Sequence, residues 1–504
     1  MALDMFSLAE FEKHLTANEF GKKLIYKDMT ETTMDDALNA AYEGTPNGTA
    51  IMAEQQSKAR GMKNRKWNAQ NTGNIYISYV YHRVAVLEDP RRDECLMEVS
   101  AALAVYTALH DIGVEGINIK WLNDIWVRGH KMAGILVEDK GPLPTDQSKR
   151  LCIVGIGVNV NADVRRHPEL HKISTSARSQ LKGNIVNREE FLAKMSKYLE
   201  DFLPLTKEDL FQRAIKYQLF QLGDPVKIHS ELNQKVTDGT LEEFMDNWSI
   251  KLKDDSGKVW TAIADHYSIR PCSTSTVYVY NGKMACPWSS EALLRGMSSL
   301  VNTTHTTITL LNDTKMKEGH WKKDAALLAI GEISLTTEDI SSAHQVFTDI
   351  LSFIENGGVV MMMGNVSGLF STYLQSKSST ETTCNLQSTA GTSADNFQSG
   401  RIVTLDLKCG DLNQMFGYCN SKEDVTFQEK TGQSSEVLAC YGNHEPAVVV
   451  STYGKGSCIL LGFNVEITYV DESIHLSDAE LSNLRDTVFV RDELLLNILK
   501  RFGL

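Results

Sequence analysis

The ten residues from Leu151 to Val160 are almost all apolar, with glycines at 155 and 157. A run of this kind reads as the central strand of a sheet, and its glycines let another group approach the backbone closely. Other strands surround it in the sequence. Thr49–Ala53 reads as a buried strand. Asn74–Arg83 alternates, with Ile75, Ile77 and Tyr79 on one face and Asn74, Tyr76 and Ser78 on the other. Lys22–Tyr26 is a short strand, and Asp28–Thr33 reads as a polar turn before a helix from Met34 to Tyr42. Thr30, Thr32 or Thr33 can cap that helix. Cys95–Leu109 carries Leu96, Val99, Leu103, Tyr106 and Leu109 near helical spacing. Glu189–Leu203 does the same with Phe191, Met195, Leu199 and Phe202. Residues 1 to 20 read as a short helical segment. Strands and helices mixed in this way predict an α/β sheet domain ending near residue 215.

Into this framework the chain inserts Gln55-Gln56-Ser57-Lys58-Ala59-Arg60-Gly61-Met62-Lys63-Asn64-Arg65-Lys66-Trp67. Five cations occupy ten positions there, in a protein of net charge −13. No apolar period runs through it, so it reads as a flexible loop able to offer N–H groups and charge to a phosphate. Alone, it would equally suit a solvated basic patch. Further on, Lys120-Trp121-Leu122-Asn123-Asp124-Ile125 and Lys131-Met132-Ala133-Gly134-Ile135-Leu136-Val137-Glu138 read as two strands of one hairpin, turning at Arg128-Gly129-His130.

From Leu222 short strands alternate with turns: Gly223–Ile228, Gly239–Leu241, Trp248–Leu252 and Lys258–Trp260. They predict a small β-barrel. Past residue 275 buried strands return at Val277–Tyr280, Ala325–Ile330 and Val359–Gly364. A helix over Ser342–Glu355 and a closing helix over Arg491–Leu499 accompany them, which predicts a parallel, flavodoxin-like sheet. Gln375–Gly400 is rich in Ser and Thr and reads as a mobile insertion.

The 504 residues exceed what one core accommodates. The composition, 42% hydrophobic and 23% charged, is that of a soluble globular protein. No apolar run is long enough to span a bilayer, and no secretory signal is recognisable. Nine dispersed cysteines without a C-x-x-C pair read as reduced thiols. The acidic balance argues against general nucleic-acid binding. The expected setting is the cytoplasm, with mitochondrial or nuclear pools left open.

The cationic loop and the hairpin together resemble the biotin–protein ligase family, the eukaryotic holocarboxylase synthetases in particular. Ala59–Trp67 is similar to the family's Gly/Arg loop ending in Trp. Lys120–Asp124 resembles its Lys-Trp-Pro-Asn-Asp motif, and Lys131–Glu138 its Lys-x-x-Gly-x-Leu-Val-Glu strand. Gly155-Ile156-Gly157-Val158-Asn159-Val160-Asn161 is a further match. The resemblance implies an α/β and α+β multidomain protein. Residues 1–215 would be a mixed-sheet, class II synthetase-like catalytic domain, and 216–274 an SH3-like β-barrel. Residues 275–504 would be a flavodoxin-like or class I amidotransferase-like domain with an insertion near 375–400. In the family that last domain precedes the catalytic unit, so the order is reversed here. Bacterial relatives that repress transcription carry an N-terminal helix-turn-helix domain, for which residues 1–20 leave no room.

The implied function is ATP-dependent biotinylation. Biotin and ATP give biotinyl-5′-AMP and pyrophosphate, and a lysine of a biotin carboxyl carrier domain then takes the biotin. The acceptors would be acetyl-CoA, pyruvate and propionyl-CoA carboxylases, with Mg²⁺ accompanying the nucleotide and neither nucleic acid nor membrane as partner. Carried over by motif, the catalytic residues would be Lys131, Arg60 and Asp124. Thr32, Thr33, Met34, Gln56, Arg60 and Lys131 would bind biotin, since hydroxyls that donate and accept suit a ureido ring. Arg60, Gly61, Lys63, Arg65, Trp67, Asn123, Asn159 and Arg270 would bind ATP. Asp124 would be the Mg²⁺ ligand, or would orient the acceptor amine, or cap a turn. Trp67 and Trp121 could cover the ligand or pack in the core.

The sequence departs from the family at several points. Met62 stands where a second loop cation is usual, Ala59 and Asn64 replace glycines, and Leu122 replaces a proline. Met62 supports an alternative, a weakened scaffold that binds biotin or its adenylate without turning over. A lipoate-type ligase is disfavoured by the Lys-Trp-x-Asn-Asp text. Gly364–Gly368 offers only Ser367 and no Cys, so no amidotransferase activity is expected.

Overall fold

The computed structural model describes residues 5–62, 65–84, 90–164, 170, 173–334, 340–377, 401–407, 414–419, 435–441, 446–464, 484 and 488–504. The chain divides into two compact units, Met1–Cys272 and Ser273–Leu504. Both are mixed α/β with mixed sheets. Among the described residues no helix is long and apolar enough to cross a membrane.

The first unit is built on seven strands: β1 (Leu24–Thr30), β2 (Ala50–Gln56), β3 (Ile75–Val84), β4 (Ile117–Lys120), β5 (Asp124–Val127), β6 (His130–Leu143) and β7 (Asp146–Val158). Their order is β1-β2-β3-β7-β6-β5-β4, so β7, which holds most of the apolar run, is the middle strand. Only β1 and β2 pair in parallel. The period of two sorts β7 into two faces. Cys152, Val154, Ile156 and Val158 join the core under the helices α3 (Pro90–Asp111) and α5 (Arg188–Phe202), with Val99, Leu103, Phe191 and Met195. Leu151 and Ile153 face α2 (Thr33–Tyr42) with Met34, Ala37 and Ala41. Each Val, Leu, Ile, Phe or Met among them withdrawn from water stabilises the fold by roughly 1.5–3 kcal/mol. The short helices α1 (Leu8–His14), α4 (Ala177–Gln180) and α6 (Lys207–Ala214) complete the set.

Two local readings change. The expected single hairpin is three strands: Lys120 ends β4, Asp124 begins β5, and residues 121–123 are the turn between them. Asp28 to Thr30 is not a turn but the end of β1, held by parallel pairing to Gln55 and Gln56. Thr32 then caps α2, its hydroxyl accepting from the Met34 N–H at 3.3 Å.

Five further strands of this unit form an antiparallel sheet: β8 (Pro225–Ser230), β9 (Val236–Phe244), β10 (Ile250–Asp254), β11 (Val259–Ala262) and β12 (Tyr267–Pro271). They run in the order β11-β10-β9-β8-β12. Their apolar faces, with Ile228, Leu241, Trp248 and Ile269, belong to the same core as the large sheet. The Trp121 Nε1–H donates to the Trp248 carbonyl at 2.8 Å, which ties the β4–β5 turn to this sheet.

The second unit carries nine strands: β13 (Ser275–Tyr280), β14 (Thr306–Leu311), β15 (Ala325–Ile330), β16 (Val359–Met363), β17 (Arg401–Leu407), β18 (Gln414–Cys419), β19 (Ser435–Tyr441), β20 (Pro446–Tyr453) and β21 (Gly456–Leu461). The order is β14-β13-β15-β16-β21-β20-β19-β17-β18. The first five are parallel and the remainder antiparallel, so the sheet is mixed where the sequence predicts a parallel one. Helices α7 (Pro287–Leu300) and α11 (Val488–Arg501) supply apolar side chains to one core. Helices α9 (Ile340–Glu355) and α10 (Asn365–Lys377) supply the other, and α8 (Asp313–Glu318) is short. Gln375–Lys377 of the predicted insertion end α10, and residues 378–400 lie outside the described residues. Just past β15, Glu332 is buried and accepts from Asn464 Nδ2 at 2.8 Å and from the Asn365 N–H at 3.1 Å. Burial outweighs these bonds and pushes its carboxyl up to about 7. Ser367 is also buried, its hydroxyl donating to the Gly364 carbonyl at 2.6 Å.

Candidate active site

A cavity of about 270 Å³ lies over the large sheet of the first unit. Its floor follows from the alternation of β6 and β7, which turns Gly134, Gly155 and Gly157 toward it. A Cβ at Gly157 would stand 2.8 Å from the Trp67 indole, and one at Gly134 2.9 Å from it. Glycine is what lets Trp67 lie on the strands. Met34 approaches Gly155 in the same way.

One end of the cavity is polar and shielded from water. Gln56, at the end of β2, accepts from the Thr33 N–H at 2.8 Å and from its hydroxyl at 3.3 Å. The Thr33 hydroxyl also lies 2.9 Å from the Ser78 hydroxyl on β3. All three residues are buried. Mid-cavity, the Lys131 ammonium is 2.6 Å from Asp124 Oδ1 and 5.2 Å from the centre of the Trp67 ring. Burial alone would raise the Asp124 carboxyl, but Lys131, Lys120 and Arg270 together hold it below the ordinary carboxylate value. Asn123 donates its amide to the Ile135 carbonyl and to Met62 Sδ, each at 2.7 Å. Asn159 donates to the Thr175 carbonyl at 3.1 Å.

The cationic stretch folds into a tight turn over this floor. The Gly61 N–H donates to the Arg65 carbonyl at 2.7 Å and the Trp67 N–H to the Ala59 carbonyl at 3.1 Å. Three of its charges are met by carboxylates. Arg60 binds Asp35 at 2.7 Å and Glu138 at 3.1 Å, contacts that raise its pKa further. Lys58 pairs with Glu31 at 2.8 Å, and Arg65 with Glu231. Lys63 lies outside the described residues.

The structure thus gathers Thr32, Thr33, Met34, Gln56, Arg60, Gly61, Arg65, Trp67, Asn123, Asp124, Lys131 and Asn159 around one cavity. Arg270 is not on its wall, although it stands close enough to Asp124 and Arg65 for their charges to act on it. Asp124, expected as the metal ligand, has its carboxylate engaged by Lys131. Among the described residues no three His, Cys, Asp or Glu converge as a metal site. Sequence reasoning missed Ser78, Lys120 as a lining residue, and the Arg60 partners Asp35 and Glu138. Ser78 sits on a predicted strand face, and its spacing did mark the side it shares with Asn74 and Tyr76.

The lining is ordered along the sheet: Gln56 on β2, Ser78 on β3, Gly155 and Gly157 on β7, Lys131 and Gly134 on β6, Asp124 on β5 and Lys120 on β4. Strands spaced about 4.8 Å apart make this row up to roughly 24 Å long. It suits an extended ligand with a neutral polar head and an anionic remainder.

Residues 26–161 match the biotin/lipoate A/B protein ligase family. The bifunctional ligase/repressor BirA of Bacillus subtilis is 31% identical over 183 residues, which cover 36% of this chain and 54% of that protein. Biotin–protein ligase 2 of Arabidopsis thaliana is 26% identical over 219 residues, 41% of this chain and 60% of that one. The chain therefore spans about half the length of these curated relatives. A solved biotin protein ligase from Aquifex aeolicus, in complex with biotin and ATP, is 26% identical and covers 49% of this chain and 99% of its own, with a TM-score of 0.40. Most of the cavity wall falls within the segment, residues 26–161, that is similar to the biotin/lipoate A/B protein ligase family.

Proposed function

We propose that this chain is an ATP-dependent biotin–protein ligase of the holocarboxylase synthetase type. The observation that carries the reading is the order of groups along the cavity, within a segment of this family. Gln56, Thr33 and Ser78 offer donors and acceptors to a ureido ring, which presents N–H and C=O together. The apolar floor of glycines, Met34 and Trp67 accommodates an aliphatic tail. Lys131 then stands where the tail's carboxylate would meet the α-phosphate.

The first step forms a bond from a biotin carboxylate oxygen to the α-phosphorus and breaks the bond to the β-phosphate oxygen, releasing pyrophosphate. In the second, the amine of a carrier-domain lysine attacks the acyl carbon and AMP leaves. The chain's work is to bring two anions together and to stabilise the charge that grows between them. Lys131 is the fixed cation for this, and Asp124 holds it in place. Asn123 and Asn159, with Trp67 and the Gly61 backbone, would contact the nucleotide, and Arg65 and Lys63 its phosphates. Arg60 is tied to Asp35 and Glu138, which suits a strut that shapes the loop. Mg²⁺ would enter with ATP as part of the substrate, since Asp124, the carboxylate that lines the cavity among the described residues, is paired with Lys131.

The acceptors proposed are biotin carboxyl carrier domains of acetyl-CoA, pyruvate and propionyl-CoA carboxylases, in the cytoplasm. The five-stranded sheet would be the family's SH3-like domain. The second unit, whose parallel strands follow the order 2-1-3-4-5, would be flavodoxin-like and related to class I amidotransferases in fold only. The test is purified protein with ATP, Mg²⁺, biotin and an apo carrier domain, followed by mass spectrometry. Biotin-dependent pyrophosphate release and a single biotinylated lysine are expected. Lipoate used in preference to biotin, or no adenylate at all, would overturn the reading.

A further inference from the structure

In the second unit β14 stands at one edge of the nine-stranded sheet and pairs with β13. The Thr274 N–H donates to the His305 carbonyl at 2.9 Å, and the Asn281 N–H to the Leu311 carbonyl at 2.8 Å. Successive residues of a strand turn their N–H and C=O to opposite sides, so Thr307 and Thr309 also face β13. Thr306, Ile308 and Leu310 present theirs to the open edge, where no hydrogen bond from a described residue reaches their main chain. The strand reads Thr-Thr-Ile-Thr-Leu-Leu, with no charge, no proline and no shift of register against β13. Elsewhere the chain guards its edges. Lys27 and Asp28 sit in β1, Pro271 ends β12, and the Leu219 N–H covers the Ile119 carbonyl of β4 at 2.8 Å. A neutral edge left open is a template for another extended chain.

The two faces beside this edge select the occupant. Ile308 and Leu310 pack into the core that α7 and α11 supply, so an added strand gains by placing apolar side chains on that face. Thr307 and Thr309 turn to the opposite face, which Leu311 shares with Met316 and Trp321. Burial of Met316 and Trp321 turns their neighbours outward. Lys315 and Lys317 on α8, and Lys323 beyond it, are exposed, and among the described residues no carboxylate pairs with them. The bordering acids are engaged inward. Asp313 accepts from the Tyr280 hydroxyl and the Lys283 N–H, each at 2.7 Å, and Asp324 from the Thr276 and Tyr278 hydroxyls at 2.8 and 3.2 Å. Ser273–Leu504 carries 16 basic and 26 acidic residues, and four of the 16 fall between Lys315 and Lys323. We propose that the outer edge of β14, with Lys315 and Lys317 beside it, binds an extended segment of a partner protein in which acidic and apolar residues alternate. Its apolar side chains continue the layer of Ile308 and Leu310, and its carboxylates lie on the lysine side. A second copy of β14 fits less well, because it brings threonines and no carboxylate to the lysines. Such docking goes beyond the ligase reading and does not depend on it.

The probe is the peptide acetyl-(Val-Glu)4-amide, titrated into the full chain by fluorescence anisotropy and followed by residue-resolved amide hydrogen exchange. Saturable binding is expected, with new protection at the Ile308 and Leu310 amides. Thr307 and Thr309, already paired with β13, should change little. Lys315→Glu combined with Lys317→Glu should weaken binding about tenfold or more by setting like charges together, and should favour acetyl-(Val-Lys)4-amide instead. Ile308→Pro removes an N–H that faces solvent, a change an edge strand accepts, and should abolish binding of the acidic peptide. Circular dichroism melts verify folding, and if Ile308→Pro does not fold, the double lysine variant at exposed positions decides. Failure of the wild type to bind the acidic peptide, equal affinity for the acidic and basic peptides, or protection confined to other strands would overturn the proposal. So would protection of Ile308 and Leu310 that rises with protein concentration in the absence of peptide, because a second copy would then hold the edge.

Discussion

Asp124 and Lys131 are joined by an ion pair of 2.6 Å that links neighbouring strands β5 and β6 inside the cavity. The carboxylate fixes the ammonium where a ligand anion would need it. Lys131→Ala should cut adenylate formation 100- to 1000-fold, about 3–4 kcal/mol, because the contact strengthens as charge develops in the transition state. Asp124→Asn keeps the cation and should cost less. Rates of biotin-dependent pyrophosphate release decide this, and near-normal turnover in Lys131→Ala would remove the residue from the chemistry.

Met62 Sδ accepts from the Asn123 amide at 2.7 Å. An arginine there would bring a bidentate fork to the loop. Met62→Arg is expected to slow dissociation of preformed biotinyl-AMP roughly tenfold, which corresponds to about 1.4 kcal/mol. Stopped-flow off-rates, with biotinylation of a bystander protein as a second readout, measure it. Equal off-rates would show that position 62 does not reach the phosphate.

The buried pair Arg188–Glu54 has an N–O distance of 2.7 Å, and both side chains are at most 4% exposed. Glu54 also accepts from the Tyr26 hydroxyl at 3.0 Å and the Gly73 N–H at 3.3 Å. It therefore joins β1, β2, the segment before β3 and α5. Arg188→Met strands a buried carboxylate and should destabilise the first unit by about 3–5 kcal/mol, while adding Glu54→Gln should restore part of that. Urea unfolding of both variants tests it, and a double variant no more stable than the single one would contradict it.

In the second unit Glu332 gives a dependence on pH. Its folded carboxyl is raised to about 7 from an ordinary value of 4.5. The folded state thus binds more protons than the unfolded between those values. The contribution is full below about 4.5 and is lost as pH rises through about 7, a change of roughly 3 kcal/mol. Hydrogen exchange in β15 and β16, corrected for intrinsic rates, should show less protection at pH 8 than at pH 5.5, and Glu332→Gln should flatten the difference. Equal protection at both pH values in the wild type would dismiss Glu332 as the cause.

What could be read in advance follows from what a linear pattern encodes. The apolar run at Leu151 marked the middle strand, because only such a strand buries both faces of one segment. The cluster around Lys131 was legible through its motif. The β4–β5 turn was not, since Trp121 and Leu122 look as apolar as a strand and are buried in the turn itself. In the second unit, apolar strands announce burial and not direction, so the antiparallel half of the sheet stayed hidden. The pairing of Arg60 with Glu138 joins residues 78 positions apart. Composition marks both as charged and tells nothing of their meeting.

The three glycines beneath the cavity have a consequence for how this pocket can evolve. A surface made of main chain has no rotamers, so it cannot yield to a bulkier guest or close upon a thinner one. Whatever discrimination the pocket exerts by shape falls to the side chains laid on that main chain, Trp67 and Met34 among them. Substitutions there can retune which tails are accepted one methylene at a time. A single methyl group added at position 157 would lift the indole from the strand and spoil every such adjustment at once.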